Sequence, residues 1–549
     1  MSLLPAKESL IVEFKSDADR IPDSELIAAV ACFANAEGGD LFIGVEDDGT
    51  PTGLHIRHQD VIGLTALIAN RTSPSISVRV ERLDIGGIAV AHITVPKSES
   101  IVSTTDGLVQ RRRLRADGTP ECAPLYPHEF AQRQSDLRRL DYSALPVVQA
   151  VVSDFNPLER ERLRLLVSRY GGDSSLIGLD DAELDGALGF VVRQGNHRVP
   201  TVAGLLTIGK ESALRAHIPT HEVALQDLAG TIVRLNEFIR VPLLDVFERV
   251  YEQQFTARLI EEEMQVGLFR VPVPNYDRRA FREGFVNALV HRDYTRLGAV
   301  HVRWETDGLV LSNPGGFVEG VTLDSLLVTE PRPRNPLLAD IMKRIGLAER
   351  TGRGIDLIYQ GLLRYGRPGP DYSRSDAHNV VLRLPQANAD LSFLQLILDE
   401  EKRLGSPTPV DRLIALSELH RTKRLTVSTL SHALQKEEGA ARALLERLVD
   451  AGLVEGRGSH RQRDYTLSAA VYRKLGRPGE YVRQAGFDPI QQGQMTLQYA
   501  HKYGRITRKE AAELCRLSPD QASRLLRGLV EQKRLTLHGE RRSAYYTAS

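Results

Sequence analysis

The order of apolar and polar residues divides the chain into four stretches. In residues 1–145 a strand pattern near Ile11–Phe14 precedes an alanine-rich helical pattern over Asp23–Asn35. Strand patterns follow at Asp40–Val45, Ile76–Leu83 and Ile88–Val95. Residues 146–270 alternate short helical patterns with an apolar run, Val202–Ile208, that reads as a buried strand. Residues 271–386 repeat the mixed theme, with a helix over Arg278–Val290, strands at Ala299–Trp304 and Leu309–Ser312, a glycine-rich loop and a further helix. A charged stretch and then Gly405-Ser406-Pro407-Thr408-Pro409 separate this body from the tail, and such a Gly/Ser/Pro cluster reads as a linker.

The tail carries one pattern twice, over 408–470 and 492–549. Each copy has a helix, a short helix, a turn, a longer amphipathic helix and a two-stranded ribbon with a Gly/Arg-rich turn. That order predicts two winged helix-turn-helix units. The second helix of each turn unit presents Arg442 and Arg447, or Arg524 and Arg527, outward. The wings carry Arg457, His460, Arg461 and Arg463, or His538, Arg541 and Arg542. A helix fits the major groove and wing arginines reach phosphate or the minor groove, so these residues are the candidate nucleic-acid contacts, although winged helices also mediate dimerisation. The expected architecture is α/β and multidomain: an α/β domain over 1–145, a connecting segment over 146–270, a second α/β module over 271–386, and the two winged helices.

Charge sharpens this picture. The chain is neutral overall, yet from Glu401 onward 27 Lys and Arg face 16 Asp and Glu. An acidic body with a basic tail predicts a polyanionic partner for the tail. At 549 residues the chain exceeds one ordinary core. No apolar run approaches a membrane span and no signal-peptide pattern opens the chain. Cys32, Cys122 and Cys515 are far apart in sequence and predict neither a disulfide framework nor a zinc site, consistent with a reducing cytoplasm.

The N-terminal stretch "ESLIVEFKSD" places Glu13 and Lys15 two apart, on one face of an extended chain. Together with "FANAEGGDLFIGVEDDGTPTGL" it resembles the Schlafen AlbA-type domain over about the first 125 residues. In nuclease members of that family three acidic residues hold a metal for RNA cleavage. The resemblance implies Glu8, Glu13 and either Glu46 or Asp47 as ligands of Mg²⁺ or Mn²⁺, with Lys15 stabilising developing charge. The alternative is an ion pair between Glu13 and Lys15 beside a solvated EDDG hairpin. The zinc-binding Cys/His set of animal Schlafens has no counterpart here. Further on, "LVQRRRLR" reads as a strand edge whose Arg111, Arg112 and Arg113 lie along phosphates, or form a salt-bridged edge that deters aggregation.

Two nucleotide signals differ in quality. "GLLTIGKE" has P-loop spacing, but its bulky interior and Glu211 are wrong for phosphate, so no helicase motor is expected. "REGFVNALVHRDY" puts Glu283 and Asn287 on one helix face. With "LSNPGGF" and "ERTGRGID" downstream, it resembles the gyrase, Hsp90, histidine kinase and MutL ATPase superfamily, in the form found in transcriptional regulators and RecG-related proteins. The resemblance implies ATP bound by Glu283, Asn287, Asn313, Gly315, Gly316, Gly352 and Gly354, with Asn287 on Mg²⁺. Asn313 stands where an adenine-reading Asp is usual. The resulting expectation is a cytoplasmic, homo-oligomeric regulator that binds nucleic acid, DNA rather than RNA, and senses a nucleotide. A Schlafen-type nuclease in stress or phage defence is the alternative.

Overall fold

The computed structural model describes residues 4–5, 7–115, 117–126, 129–130, 133–134, 140–228, 233–266, 269–457, 463–476, 489–515, 517–539 and 544–548. The fold is α/β and multidomain. Near the N-terminus four strands form one sheet in the order Val12–Lys15, Gly39–Ile43, Ile88–Val95, Arg79–Ile85. The first two run parallel, with Val12 opposite Asp40 and Lys15 opposite Ile43, and the rest are antiparallel. Parallel neighbours need a crossover, and the Asp23–Ala34 helix supplies it, burying Leu26, Ile27, Val30 and Phe33 against the sheet.

The FAN–GG signature has a structural role. Asn35 is buried, and its amide donates to the Val102 and Gln110 carbonyls while its Oδ1 accepts from Val102 N, holding three segments together. Gly39 sits at φ 145°, where a Cβ would meet the Ile11 carbonyl oxygen at 2.5 Å. Only glycine lets the chain leave the helix so close to its neighbour.

Two sequence expectations are corrected. Cys32 on this helix and Cys122 in the Pro120–Pro124 strand form a disulfide, although 90 residues separate them. The topology brings helix and hairpin together, which linear spacing does not reveal. Val202–Ile208 is a fully buried helix, not a strand. Thr201 caps its first turn by accepting from Gly204 N, and an apolar run buried on all sides has no period to separate helix from strand.

The largest core runs from Ala150 to Leu384, so the 146–270 and 271–386 stretches share one interior. Its five-stranded sheet has the order Leu235–Ile239, Val223–Asp227, Val300–Glu305, Gly308–Pro314, Asn379–Pro385, taking strands from both stretches. The Arg278–His291 helix covers that sheet, and the Phe281 and Phe285 rings stack among Phe247, Tyr251 and Phe255.

Both tail units have the expected element order. The first comprises helices Val410–Thr422, Val427–Leu434 and Glu438–Asp450 and the ribbon Val454–Arg457 with Asp464–Leu467. The second comprises helices Pro489–Tyr503, Arg508–Cys515 and Pro519–Glu531 and the strands Leu535–His538 and Tyr545–Ala548. The first unit is docked on the body. Leu363 belongs to its core, Leu327 and Tyr359 pack against that core, and the 405–409 stretch that reads as a linker is a short connection between two helices with Thr408 buried. Among the described residues no helix is long and apolar enough to cross a membrane.

Candidate nucleotide and nucleic-acid sites

Three of the four candidate N-terminal carboxylates, Glu8, Glu13 and Glu46, are engaged separately. Glu8 accepts from the Phe14 amide (2.9 Å), and Glu46 accepts from the Ser16 (2.6 Å) and Thr52 (2.8 Å) hydroxyls, which lower its pKa. Asp47 is exposed in the following turn. Glu13 is buried between two cations: Arg112 Nη1 at 2.6 Å and Lys15 Nζ at 3.0 Å. Burial pulls the Lys15 amine down, but Glu13 and Glu25 carry it above its ordinary value. Among the described residues no three His, Cys, Asp or Glu side chains converge closely enough to hold a metal ion. The expected ligand set does not fit a metal, because Glu13 is already neutralised and Glu8 serves the backbone.

Arg112 is likewise corrected as a phosphate contact. Its side chain is 2% exposed, and beyond Glu13 it donates to the Ser9 and Val12 carbonyls, because strand alternation turns it inward. Arg111 and Arg113 point outward toward Glu129 (4.0 Å) and Glu121 (3.3 Å), so the run is a salt-bridged edge.

The second group does converge. Glu283, Asn287, Asn313, Gly316, Gly352 and Gly354 line one cavity of about 250 Å³. Helical spacing puts Glu283 and Asn287 on its wall, and Asn313 enters from the end of the Gly308–Pro314 strand, donating through Nδ2 to the Pro314 carbonyl (3.2 Å). Glu283 is 3% exposed, and its carboxylate accepts from the Glu349 amide (3.3 Å). Burial pushes its pKa up to about 7, against the lowering pull of that amide.

The glycines have distinct reasons. A Cβ on Gly354 would lie 2.3 Å from Glu283 Oε1, and one on Gly316 would lie 2.7 Å from the Asp376 carbonyl oxygen. Gly352 has φ 83° and its Cβ would strike Pro331. Gly315 stands behind the wall, where a Cβ would meet Asp293 at 2.9 Å. Here glycine permits close chain packing around the cavity.

Residues outside the sequence expectation complete the lining. Leu311, Tyr372, Val380 and Leu382 give an apolar floor, and Lys343 and Arg332 add cations. His291 is held neutral, its pKa lowered to about 4 by burial and by Arg334. His291 stands in the quoted "HRDY" run, but nothing in a linear pattern marks Lys343 or Arg332 as neighbours of Glu283. The donor set fits a nucleotide: apolar side chains for a base, the Asn313 amide, the cations Lys343 and Arg332, and the Asn287 amide oxygen as a hard donor beside a carboxylate.

On the tail, Arg442 and Arg447 are exposed on the Glu438–Asp450 helix, as are Arg524 and Arg527 on the Pro519–Glu531 helix. Arg463 pairs with Glu446 (2.9 Å) and covers the Tyr465 ring. Arg461, Arg541 and Arg542 lie outside the described residues, as does His460.

Two family models match separate stretches of the chain. Residues 8–119 match the family model "Schlafen, AlbA_2", and residues 298–384 match that described as "Putative ATP-dependent DNA helicase recG C-terminal". The chain carries both modules. It is similar to the crystal structure of the DIP2311 protein from Corynebacterium diphtheriae, at 24% identity and a TM-score of 0.51, over 85% of this chain and 93% of that one. That likeness extends the shared fold across most of the chain. Smaller stretches, 22% and 25% of the chain, match two further structures, each at 22% identity. One is the N-terminal domain of a RecG-related protein from Nitrosomonas europaea (TM-score 0.17, 88% of that chain), and the other a MarR family transcriptional regulator from Silicibacter pomeroyi (TM-score 0.12, 77% of that chain). No curated protein matches the chain.

Proposed function

We propose that the chain is a nucleic-acid-binding regulator that responds to a nucleotide of the ATP type. The observation that carries this reading is the meeting of Glu283, Asn287 and Asn313, distant in sequence, around one cavity beside Lys343 and Arg332. An adenine ring suits the floor of Leu311 and Tyr372, with Asn313 at its edge, and Lys343 and Arg332 suit phosphate. Asn287 is the side chain to hold Mg²⁺ through its amide oxygen, which would screen phosphate charge and leave the Glu283 carboxylate off the metal. With a pKa near 7, Glu283 is able to take or release a proton at neutral pH.

The exposed Arg442, Arg447, Arg524 and Arg527 supply the polyanion contacts, and duplex DNA is the partner whose groove accepts such helices. The nuclease alternative lacks a comparable observation, since Glu8, Glu13 and Glu46 are separately engaged and Asp47 is exposed in a turn.

Calorimetric titration of Mg²⁺–ATP into the protein tests the reading. Binding is expected, and Asn313→Leu should weaken it at least about tenfold by removing the polar reader of the base. Equal affinity in the variant, or no heat with either protein, would reject it.

A further inference from the structure

The cavity is walled on one side by the 316–333 segment, whose Val318, Val321, Leu326, Leu327 and Thr329 face it. The outer side of this wall is fastened to the first winged helix. Gln435 Oε1 accepts from Leu327 N (2.7 Å), and Gln435 Nε2 donates to the Leu323 carbonyl (2.8 Å). Leu327 therefore lines the cavity with one surface and packs on the winged-helix core with another.

Gln435 occupies a mechanically sensitive place. It closes the Val427–Leu434 helix in the left-handed conformation, at φ 56°, directly before the helix that carries Arg442 and Arg447. A second connection runs alongside. The Gly354–Leu363 helix begins in the cavity wall with Gly354, Ile355 and Asp356 and ends with Leu363 inside the winged-helix core. On the opposite flank, Glu319 reaches Lys97 (3.6 Å) and Arg133 (3.7 Å) of the N-terminal module.

We propose that the 316–333 segment is a shared wall that couples occupancy of the cavity by a nucleotide to engagement of duplex DNA by the first winged helix, with Gln435 as the fastening residue. The proposal rests on the nucleotide and DNA reading above. A ligand pressing on Leu326 and Leu327 shifts the backbone that Gln435 holds, and with it the turn that sets the tilt of the arginine-bearing helix. A wall with two differently contacted faces gives each ligand a differential interaction with the same element, which coupling between sites requires.

The test uses the full chain, a non-hydrolysable Mg²⁺–ATP analogue and a mixed-sequence DNA duplex, each titrated first alone and then with the other present. In the wild type each ligand is expected to change the affinity of the other by about fivefold or more, equally in both directions. Gln435→Gly removes both hydrogen bonds while suiting the left-handed turn. It should leave the two separate affinities within about twofold and bring the coupling factor to about one. Amide hydrogen exchange gives a readout independent of ligand affinity: protection at Leu327 is expected to fall in Gln435→Gly and to change in the wild type when the analogue is added. Glu319→Gln, on the other flank, should leave the Leu327 amide as in the wild type. If both ligands bind the wild type but ignore each other, or if Gln435→Gly retains full coupling, the shared wall is wrong while the nucleotide and DNA reading stands. If either ligand fails to bind alone, that reading falls and the coupling with it.

Discussion

Replacing Glu283 by Gln is expected to stabilise the protein, and to do so only above the ordinary carboxylate range. Glu283 is 3% exposed, and burial raises its pKa from 4.5 to about 7. Above 4.5 the unfolded chain releases this proton, while the folded chain keeps it until about 7. The folded state then binds more protons than the unfolded state, so stability falls as pH rises through that window and stays low beyond it. For a rise from 4.5 to about 7 the forfeited stability is about 3 kcal/mol at about pH 8, and under about 1 kcal/mol at about pH 5.

Glutamine carries no such charge, and its Oε1 still accepts from the Glu349 amide that Glu283 now engages. Glu159, Asp277 and Asp356, whose pKa values are also raised and chiefly by burial, remain in both proteins and cancel in the difference. Denaturant unfolding of wild type and Glu283→Gln without nucleotide, at about pH 5 and about pH 8, reads the effect. The variant should gain about 2–3 kcal/mol more at the higher pH than at the lower. A gain that does not depend on pH, or a loss at the higher pH, would refute the buried-carboxylate argument and remove the basis for proton transfer by Glu283.

Gly354→Ala places a methyl 2.3 Å from Glu283 Oε1 and should cost about 1–3 kcal/mol while displacing that carboxylate, so unfolding and nucleotide titration should both report a loss. Arg112→Ala strands buried Glu13 with Lys15 alone and should cost about 3–5 kcal/mol, whereas Arg113→Ala, at an exposed pair, should cost less than about 1 kcal/mol; thermal unfolding of the two variants separates a structural arginine from a surface one. Arg524→Ala and Arg527→Ala should each reduce the slope of log affinity for duplex DNA against log salt by about 0.9, and an unchanged slope would place these residues away from phosphate.

What could be read from the chain, and what could not, follows from the range of each physical signal. The winged helices were legible because each is built from local patterns: amphipathic helices of three or four turns, followed by two strands and a glycine-rich turn. Glu283 and Asn287 are legible as a pair because helical spacing fixes their common face, and Asn313, Gly316, Gly352 and Gly354 because the order of their motifs resembles that of a known superfamily, whereas Gly315 lies behind the wall. Lys343 and Arg332 carry no local mark, and only the packing of the 316–333 segment and the Pro336–Ile345 helix around the cavity recruits them.

Two of the misreadings, Arg112 and the cysteine pair, have one cause in common, a signal whose decisive partner lies far along the chain. Alternation alone would have turned Arg112 inward between Arg111 and Arg113, yet which face of the hairpin is buried depends on Glu13, 99 residues away. Cys32 and Cys122 meet only because the crossover helix packs beside that same hairpin. Val202–Ile208 sits in a core closed on every side, where hydrophobicity ceases to distinguish a period of 3.6 from one of 2, and the Thr201 cap was the sole local sign of a helix. Gln435 shows the same limit from the other direction. A glutamine in a helix-turn-helix turn reads as ordinary surface, and its two hydrogen bonds to residues 108 and 112 positions earlier give it a role only in the folded chain. Residues that join modules are thus the ones a linear reading is least equipped to find, and in this protein they lie around the wall of the cavity.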